Sequence, residues 1–141
     1  MLRARRSTYK QNMSAFRQLA AAPHRPLFLG GLLALLAVTA WWALWLAAPR
    51  TLALPPAWLH GWLFLYGPFP FFIFGFLYTV FPRWFGTAPV SARVFIITAL
   101  ALGAGLLASL AGAALGSLMR LIVGAALTTL ELAFGLAQLA R

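Results

Sequence analysis

The sequence predicts an all-α, polytopic membrane protein with four transmembrane helices, an N-in/C-in topology and a second helix broken at Pro68 and Pro70. The first observation is composition: the 141 residues are 63% hydrophobic and 9% charged, with a mean hydropathy of +0.90. Such a chain is too apolar for a water-soluble domain of this size. The second is that four apolar segments are each long enough to cross a hydrocarbon layer of about 30 Å. The third is the one-sided distribution of the basic residues.

The four predicted spans occupy nearly all of the chain after residue 26. They run from Leu27 to Ala48, from Trp58 to Phe81, from Val94 to Leu115 and from Leu118 to Leu139. The chain therefore divides into a basic cytoplasmic tail, residues 1–26, and a transmembrane domain, residues 27–141. The first apolar segment has about 22 residues against the 7–15 of a signal peptide, so we expect a retained anchor.

Residues 7–22 of the tail place Tyr9, Met13 and Phe16 at helical spacings. This pattern fits a short interfacial helix on the cytoplasmic leaflet. It fits equally a basic tail that is solvated next to anionic lipid. Neither interpretation gives the tail a chemical role.

The basic residues predict the orientation of the spans. With the amino terminus inside, nine of the 11 lie on the cytoplasmic side and two lie outside. This is a clear positive-inside bias. The net charge of +10 does not indicate nucleic-acid binding, because no basic face with interleaved aromatic residues exists outside the tail. The inside set is Arg3, Arg5, Arg6, Lys10, Arg17, Arg25, Arg83, Arg93 and Arg141, and the outside set is Arg50 and Arg120.

Tryptophan and tyrosine residues mark the predicted membrane surfaces. Their rings are apolar with one polar tip, so they favour the headgroup boundary. They lie near the outer end of the first span and at both ends of the second. The predicted belt residues are Trp41, Trp42, Trp45, Trp58, Trp62, Tyr78 and Trp84.

The chain has few groups that carry chemistry. It has no cysteine, so it offers neither a disulfide nor a thiolate ligand, and any metal would need histidine, methionine, carboxylate or backbone oxygen. The histidines are His24 and His60, and the only acid is Glu131. No Ser/His/acid set or carboxylate pair is present, so we predict no catalytic residue and favour a protein that is not an enzyme, without deciding the point.

The second span carries Gly67, Pro68 and Pro70 near its centre. Proline removes a backbone donor and disfavours helix at the residue before it. We therefore predict an upper half from Trp58 to Tyr66 and a lower half from Phe71 to Phe81. Broken helices at membrane depth often line binding sites, although a simple kink without a ligand explains the prolines as well.

The two histidines lie near opposite membrane surfaces. His60 is in the first turn of the upper half, with Gly67 two turns below on the same face. The glycine would leave space that suits either a flat macrocycle or a close helix neighbour. A hydrogen-bonded belt histidine is the simpler alternative. His24 begins the first span, roughly 30 Å from His60, so the two cannot bind one metal together; either each serves a different site or one is a headgroup-level residue.

Small residues dominate the third span. Gly112 and Gly116 continue a row that recurs every four residues from Ala104 and Ala108. Such rows let two helix backbones approach closely in a membrane, where lipid gives no hydrophobic drive for association. The row fits packing within the bundle or a homo-oligomer interface through the Gly112/Gly116 face.

Apart from Thr129, the polar residues of the fourth span lie on one stripe, in which Thr128 and Glu131 are followed by Gln138 and preceded by Gly124 and, one turn further outward, by Arg120. A charged acid deep in a span costs about 2.5–3.5 kcal/mol on insertion scales. We therefore expect Glu131 to face protein or water, or to be protonated. It fits a packing contact, a proton relay or a partner to a bound cofactor.

Several segments resemble the NnrS family. The stretch "HRPLFLGGLLALL" resembles the family's "RPFFLLA" opening, "GFLYTVFPRW" is similar to "GFLLTAVPNW", and "LELAF" resembles "LDLAF", which puts Glu131 on an acidic position. Counted back from Gly75, His60 falls on the first histidine of the family's "WHAHE". The resemblance covers nearly the whole chain, but about the first third of a typical twelve-helix member.

The resemblance implies a haem- and copper-containing protein of the bacterial inner membrane that is associated with the nitric oxide response and denitrification. His60 would then be a ligand, with Gly67 beside the cofactor, Tyr66 as a hydrogen-bond partner and His24 as a further metal-binding candidate. The chain departs from the motif, since Leu59, Trp62 and Leu63 replace its tryptophan, second histidine and glutamate.

Three functions remain open at this point. The first is an NnrS-like protein that binds haem, with copper as a further candidate. In this case the second ligand of the haem iron comes from another chain, or that axial position stays open. The second is a structural or assembly subunit that has lost the cofactor site. The third is a small transporter or proton channel that uses Glu131 and the broken span. All three place the chain in a lipid bilayer beside other membrane chains or its own copies.

Overall fold

A computed structural model describes residues 15–52 and 54–139. These residues form six helices and no strand: α1 (Ala15–Leu19), α2 (His24–Ala47), α3 (Pro56–Tyr66), α4 (Pro68–Phe85), α5 (Ala92–Ala114) and α6 (Leu118–Leu139). Helix α1 lies within the segment predicted as an interfacial helix, and the part of that segment before residue 15 lies outside the described residues. The same is true of the tail residues Arg3, Arg5, Arg6 and Lys10 and of Arg141.

Four helical spans are long and apolar enough to cross a membrane: α2, the combined segment Pro56–Phe85, α5 and α6. The prediction of a four-span helical membrane protein is therefore confirmed. Successive spans run antiparallel, as the contacts of Phe28 with Phe72 and of Trp42 with His60 require. We call the end where α2 begins and α6 ends the terminal end, and the opposite end the loop end.

The second span is broken at Gly67, where φ is −87° and ψ is −89°. Pro68 and Pro70 lie in the first turn of α4, whose backbone N–H groups have no helical acceptor in any case. The prolines therefore begin a helix instead of interrupting one. The predicted break is confirmed, but the lower half begins at Pro68 and not at Phe71, because proline is well accommodated in a first turn.

The break lies in the core of the bundle. A Cβ on Gly67 would meet the carbonyl oxygen of Leu63, and would lie 3.1 Å from Leu106 Cδ1 and 3.4 Å from Val38 Cγ2. The sequence suggested open space for a macrocycle or a close helix neighbour at this glycine. The structure has a close helix neighbour there: side chains of α2 and α5 lie beside Gly67.

Gly67→Ala is expected to destabilise the protein by about 1–3 kcal/mol, the usual range for added volume in a packed core. The added methyl group would collide with the Leu63 carbonyl, which is backbone and cannot rotate away. The measurement is the thermal unfolding midpoint in mild detergent. Gly61→Ala is the matched control, because nothing lies within 4 Å of Gly61 and alanine favours the helix there. Equal midpoints for the two variants would contradict the close packing at the break.

Helices α5 and α6 approach each other through small residues. A Cβ on Gly112 would lie 2.7 Å from the backbone nitrogen of Leu121, and one on Gly105 would lie 3.3 Å from the Gly124 carbonyl oxygen. Gly112 is therefore used for packing within the chain, whereas Ala104 of the same row is exposed. Gly116 lies in the turn between the two helices with φ of 61° and nothing within 4 Å. The predicted homo-oligomer interface through Gly112 and Gly116 stays a prediction, although α6 of the same chain already covers Gly112.

Candidate functional site

His60 lies one turn into α3, at the loop end of the bundle. Its ring is 4.2 Å from the ring of Trp42 on α2 and 4.7 Å from that of Phe64 on its own helix, as measured between centroids. Trp42 in turn stacks on Trp45 at 5.0 Å. The imidazole is therefore held between aromatic side chains of two helices, and its orientation is restricted.

The Nδ1 atom of His60 is buried and has no hydrogen-bond partner. Histidine ligands normally donate the second ring N–H to a carboxylate, carbonyl or water. The position that carries a glutamate in the family motif is Leu63, which is buried in the core. The imidazole is thus oriented by packing alone among the described residues.

The other residues predicted for a cofactor site are not brought next to His60. Tyr66 is six residues further along the helix, which puts it about 120° around the axis. Its ring stacks on Trp62 at 4.3 Å. His24 begins α2 and has its ring edge toward Phe28 at 6.1 Å. Because Trp42 lies about 27 Å further along α2, His24 and His60 are at opposite ends of the bundle.

A metal centre needs more donors than this site contains. Among the described residues, no three histidine or acidic side chains lie close enough to hold a metal ion. A haem iron needs only one axial donor from the protein, and the imidazole of His60 meets that requirement.

None of three surface cavities is lined by His60. A cavity of about 140 Å³ lies beside Trp41 and Trp45, and one of about 110 Å³ lies beside Trp62. The largest, about 410 Å³, is at the terminal end next to Pro82 and Gln138. None of these three cavities therefore offers space for a macrocycle at His60.

A second polar cluster lies inside the bundle, nearer the terminal end. It consists of Tyr78 on α4, Thr98 on α5 and Glu131 on α6. The hydroxyl groups of Tyr78 and Thr98 are 3.3 Å apart and share a hydrogen bond. The Thr98 hydroxyl also interacts with the carboxyl group of Glu131. Glu131 is only 7% exposed, and its Oε1 atom is buried without a hydrogen-bond partner.

The polar stripe of the fourth span faces the protein interior, as the sequence predicted for Glu131. Thr128 is buried and its hydroxyl donates to the Gly124 carbonyl at 3.1 Å, so this threonine is satisfied within its own helix. Arg120 is exposed, and Leu121 takes the buried position at that level. The stripe therefore does not continue to Arg120, which has no part in the Glu131 cluster.

Sequence reasoning found Glu131 but missed its two partners. Tyr78 was predicted to be a belt residue at the membrane surface, and this was wrong: it is buried, because Gly135 on α6 leaves room for its ring. A Cβ at Gly135 would be 3.0 Å from the Tyr78 hydroxyl. Thr98 is the one hydroxyl residue in the first half of the third span, which is otherwise apolar there. This isolation was the feature of the sequence that could have pointed to a polar contact.

Taken together, fold and site define a four-span helical membrane protein with one oriented imidazole near the loop end and one enclosed carboxyl group in its interior. Comparison with known families matches residues 18–141 to the family described as NnrS protein. The chain therefore belongs to the NnrS family, which confirms the resemblance seen in its motifs. No curated protein and no solved structure matches the chain.

Proposed function

We propose that this protein binds haem through His60 in the bacterial inner membrane and takes part in the response to nitric oxide or in denitrification. In the proposed N-in/C-in orientation, His60 lies at the outer membrane surface. Membership of the NnrS family supports this function. The observation that carries it is the imidazole itself, which is held between Trp42 and Phe64 at the loop end of the bundle.

The proposed roles of the residues follow from their contacts. His60 provides one ring nitrogen to the iron, and Trp42 and Phe64 fix the plane of the imidazole and keep water away from it. When bound, haem would supply an iron that can bind a diatomic gas in apolar surroundings. We assign haem and not copper to His60, because a copper ion needs additional protein donors.

The remaining cover for the cofactor comes, in this proposal, from another membrane chain. None of the three cavities described above is lined by His60, and Gly61 beside it is exposed, with nothing within 4 Å of the position that a Cβ would take. A flat ligand on that open side would contact lipid or a neighbouring chain. The partner is therefore a membrane protein that closes the loop end.

Haem content of the purified protein tests the proposal. The chain is expressed in cells supplied with haem precursor, iron and copper, and is purified in mild detergent with any bound partners. The reduced pyridine haemochrome spectrum is expected to show haem, and metal analysis is expected to show iron. Protein that is folded but contains no haem after growth under these conditions would refute haem binding.

A second function is favoured by the residues that replace the family motif. Leu63 is buried in the core and Trp62 is stacked on Tyr66, so both positions contribute to packing and provide no ligand. We propose as the alternative a structural or assembly subunit of a larger membrane complex. Blue-native electrophoresis of gently solubilised membranes is expected to show the chain in a large, haem-free complex, whereas a lone monomer counts against this alternative.

A further inference from the structure

The carboxyl group of Glu131 has no charged partner in the interior of the bundle. The groups that face it are the phenol of Tyr78 from α4 and the hydroxyl of Thr98 from α5. On its own helix, Thr128 and Gly135 are the nearest inward-facing positions. Among the described residues, Tyr78 is the only titratable group that faces Glu131, and the nearest arginines along the neighbouring helices, Arg83 and Arg93, are exposed at the terminal end.

A carboxylate in this position would be strongly disfavoured. Burial of an ionised group without an opposite charge is costly, and such a group neutralises instead. The neutral acid has an O–H that can donate and a carbonyl oxygen that can accept. It can therefore share a hydrogen bond with the neighbouring Thr98 hydroxyl while the buried Oε1 atom remains unpaired.

Water can approach the cluster from the terminal end. The cavity of about 410 Å³ is lined by Pro82, which lies one turn after Tyr78, and by Gln138, which lies one turn after Gly135. One helical turn is about 5.4 Å along the axis. Pro82 has no N–H, so the carbonyl of Tyr78 lacks its usual helical donor and provides a backbone acceptor between the cavity and the cluster.

We propose that Glu131, Thr98 and Tyr78 form an intramembrane proton-binding site, in which Glu131 carries the proton at neutral pH and exchanges it with water at the terminal end through the two hydroxyl groups. Protonation forms one O–H bond at the Glu131 carboxylate, and the proton comes from hydronium in the cavity. The site is separate from His60, since it lies in the other half of the bundle. It needs no cofactor and does not depend on the proposed haem function.

Infrared spectroscopy tests the protonation state directly. Glu131 is the only acidic side chain of the protein, so a protonated-carboxyl C=O band in the wild type that is missing from Glu131→Gln belongs to this residue. We expect the band at pH 7 in reconstituted vesicles. Labelling by dicyclohexylcarbodiimide, which attacks protonated carboxyl groups in apolar surroundings, is expected at Glu131 and absent in Glu131→Gln, with peptide mapping to distinguish the terminal carboxyl.

Hydrogen exchange tests the route. After mixing with D₂O, the carboxyl band of the wild type is expected to shift promptly. Tyr78→Phe and Thr98→Val each remove one hydroxyl and should slow the shift about tenfold, the size of effect that loss of one hydrogen bond produces. Thr79→Val is the control, because the Thr79 hydroxyl donates to the Gly75 carbonyl at 2.7 Å on the same helix and is not part of the cluster.

Two outcomes would overturn the proposal. In the first, the folded wild type shows neither the carboxyl band nor carbodiimide labelling between about pH 5 and pH 8. Glu131 would then be ionised in that range, which contradicts the protonated state expected of a buried unpaired acid. Equal exchange rates in the wild type, Tyr78→Phe and Thr98→Val would rule out the route through the hydroxyl groups. Tyr78→Phe keeps the carboxyl group, so the band can be followed even if Glu131→Gln folds poorly.

Discussion

His60→Ala is expected to abolish haem binding. His60 is the only histidine among the described residues at the loop end, since His24 begins α2 at the terminal end. The measurement is the pyridine haemochrome spectrum of equal amounts of purified wild type and variant. His60 is the sole protein ligand in this proposal, so the variant loses the bond between protein and iron entirely. The haem content is therefore expected to fall by about tenfold or more, because losing even one interaction of about 1.4 kcal/mol changes an affinity about tenfold.

Two further variants separate ligation from folding. His24→Ala removes the other histidine, which lies at the opposite end of α2, and is expected to keep the haem content of the wild type. His60→Gly leaves a space between Trp42 and Phe64, where added imidazole can take the place of the side chain. If His60 is the haem ligand, added imidazole is expected to restore the haem content of His60→Gly. If His60→Ala retains full haem, the ligand is another group and the assignment of His60 is wrong.

Gly124→Val is expected to give the largest loss of stability in the bundle. A Cβ on Gly124 would meet the hydroxyl of Ser109, and would lie 2.8 Å from both the Gly105 carbonyl oxygen and the Ser109 backbone nitrogen. Two of these three atoms belong to the backbone of α5, so the helices must separate to admit the side chain. We expect a cost of about 3 kcal/mol, at the upper end of overpacking effects.

The matched control for this variant is Gly103→Val. Gly103 is on α5, but nothing lies within 4 Å of the position that its Cβ would take. Both variants carry the same β-branched residue in a helix, so the propensity change is similar and only the contact between α5 and α6 differs. Thermal unfolding in one detergent compares them. A Gly124→Val midpoint as high as that of Gly103→Val would show that the two helices are not in close contact.

Much of the fold could be predicted because each span is a local property. Twenty or more apolar residues in a row predict a transmembrane helix by themselves. Gly67 followed by Pro68 predicts a break at the same place for local steric reasons. The inward face of α6 could also be predicted, because Glu131 and Thr128 share a stripe and a buried acid must avoid lipid.

Contacts between spans could not be predicted in the same way. Both faces of the first three spans are largely apolar, so hydrophobicity does not distinguish the face toward lipid from the face toward protein. Tyr78 therefore looked like a surface aromatic residue, and the Gly112 row fitted a second copy as well as α6. The space at Gly67 depended on whether side chains of other spans, such as Leu106, reached it.

The sequence alone determined that this protein has four helical spans, a break before Pro68 and one acid that turns away from lipid, since composition and backbone sterics act within each segment. Only the tertiary structure decided what each of these features meets. It put Tyr78 and Thr98 beside Glu131, Trp42 against His60, and Val38 and Leu106 against Gly67. Such contacts depend on how the helices are rotated relative to one another. Close packing between small residues of different helices sets that rotation, so no single segment encodes it.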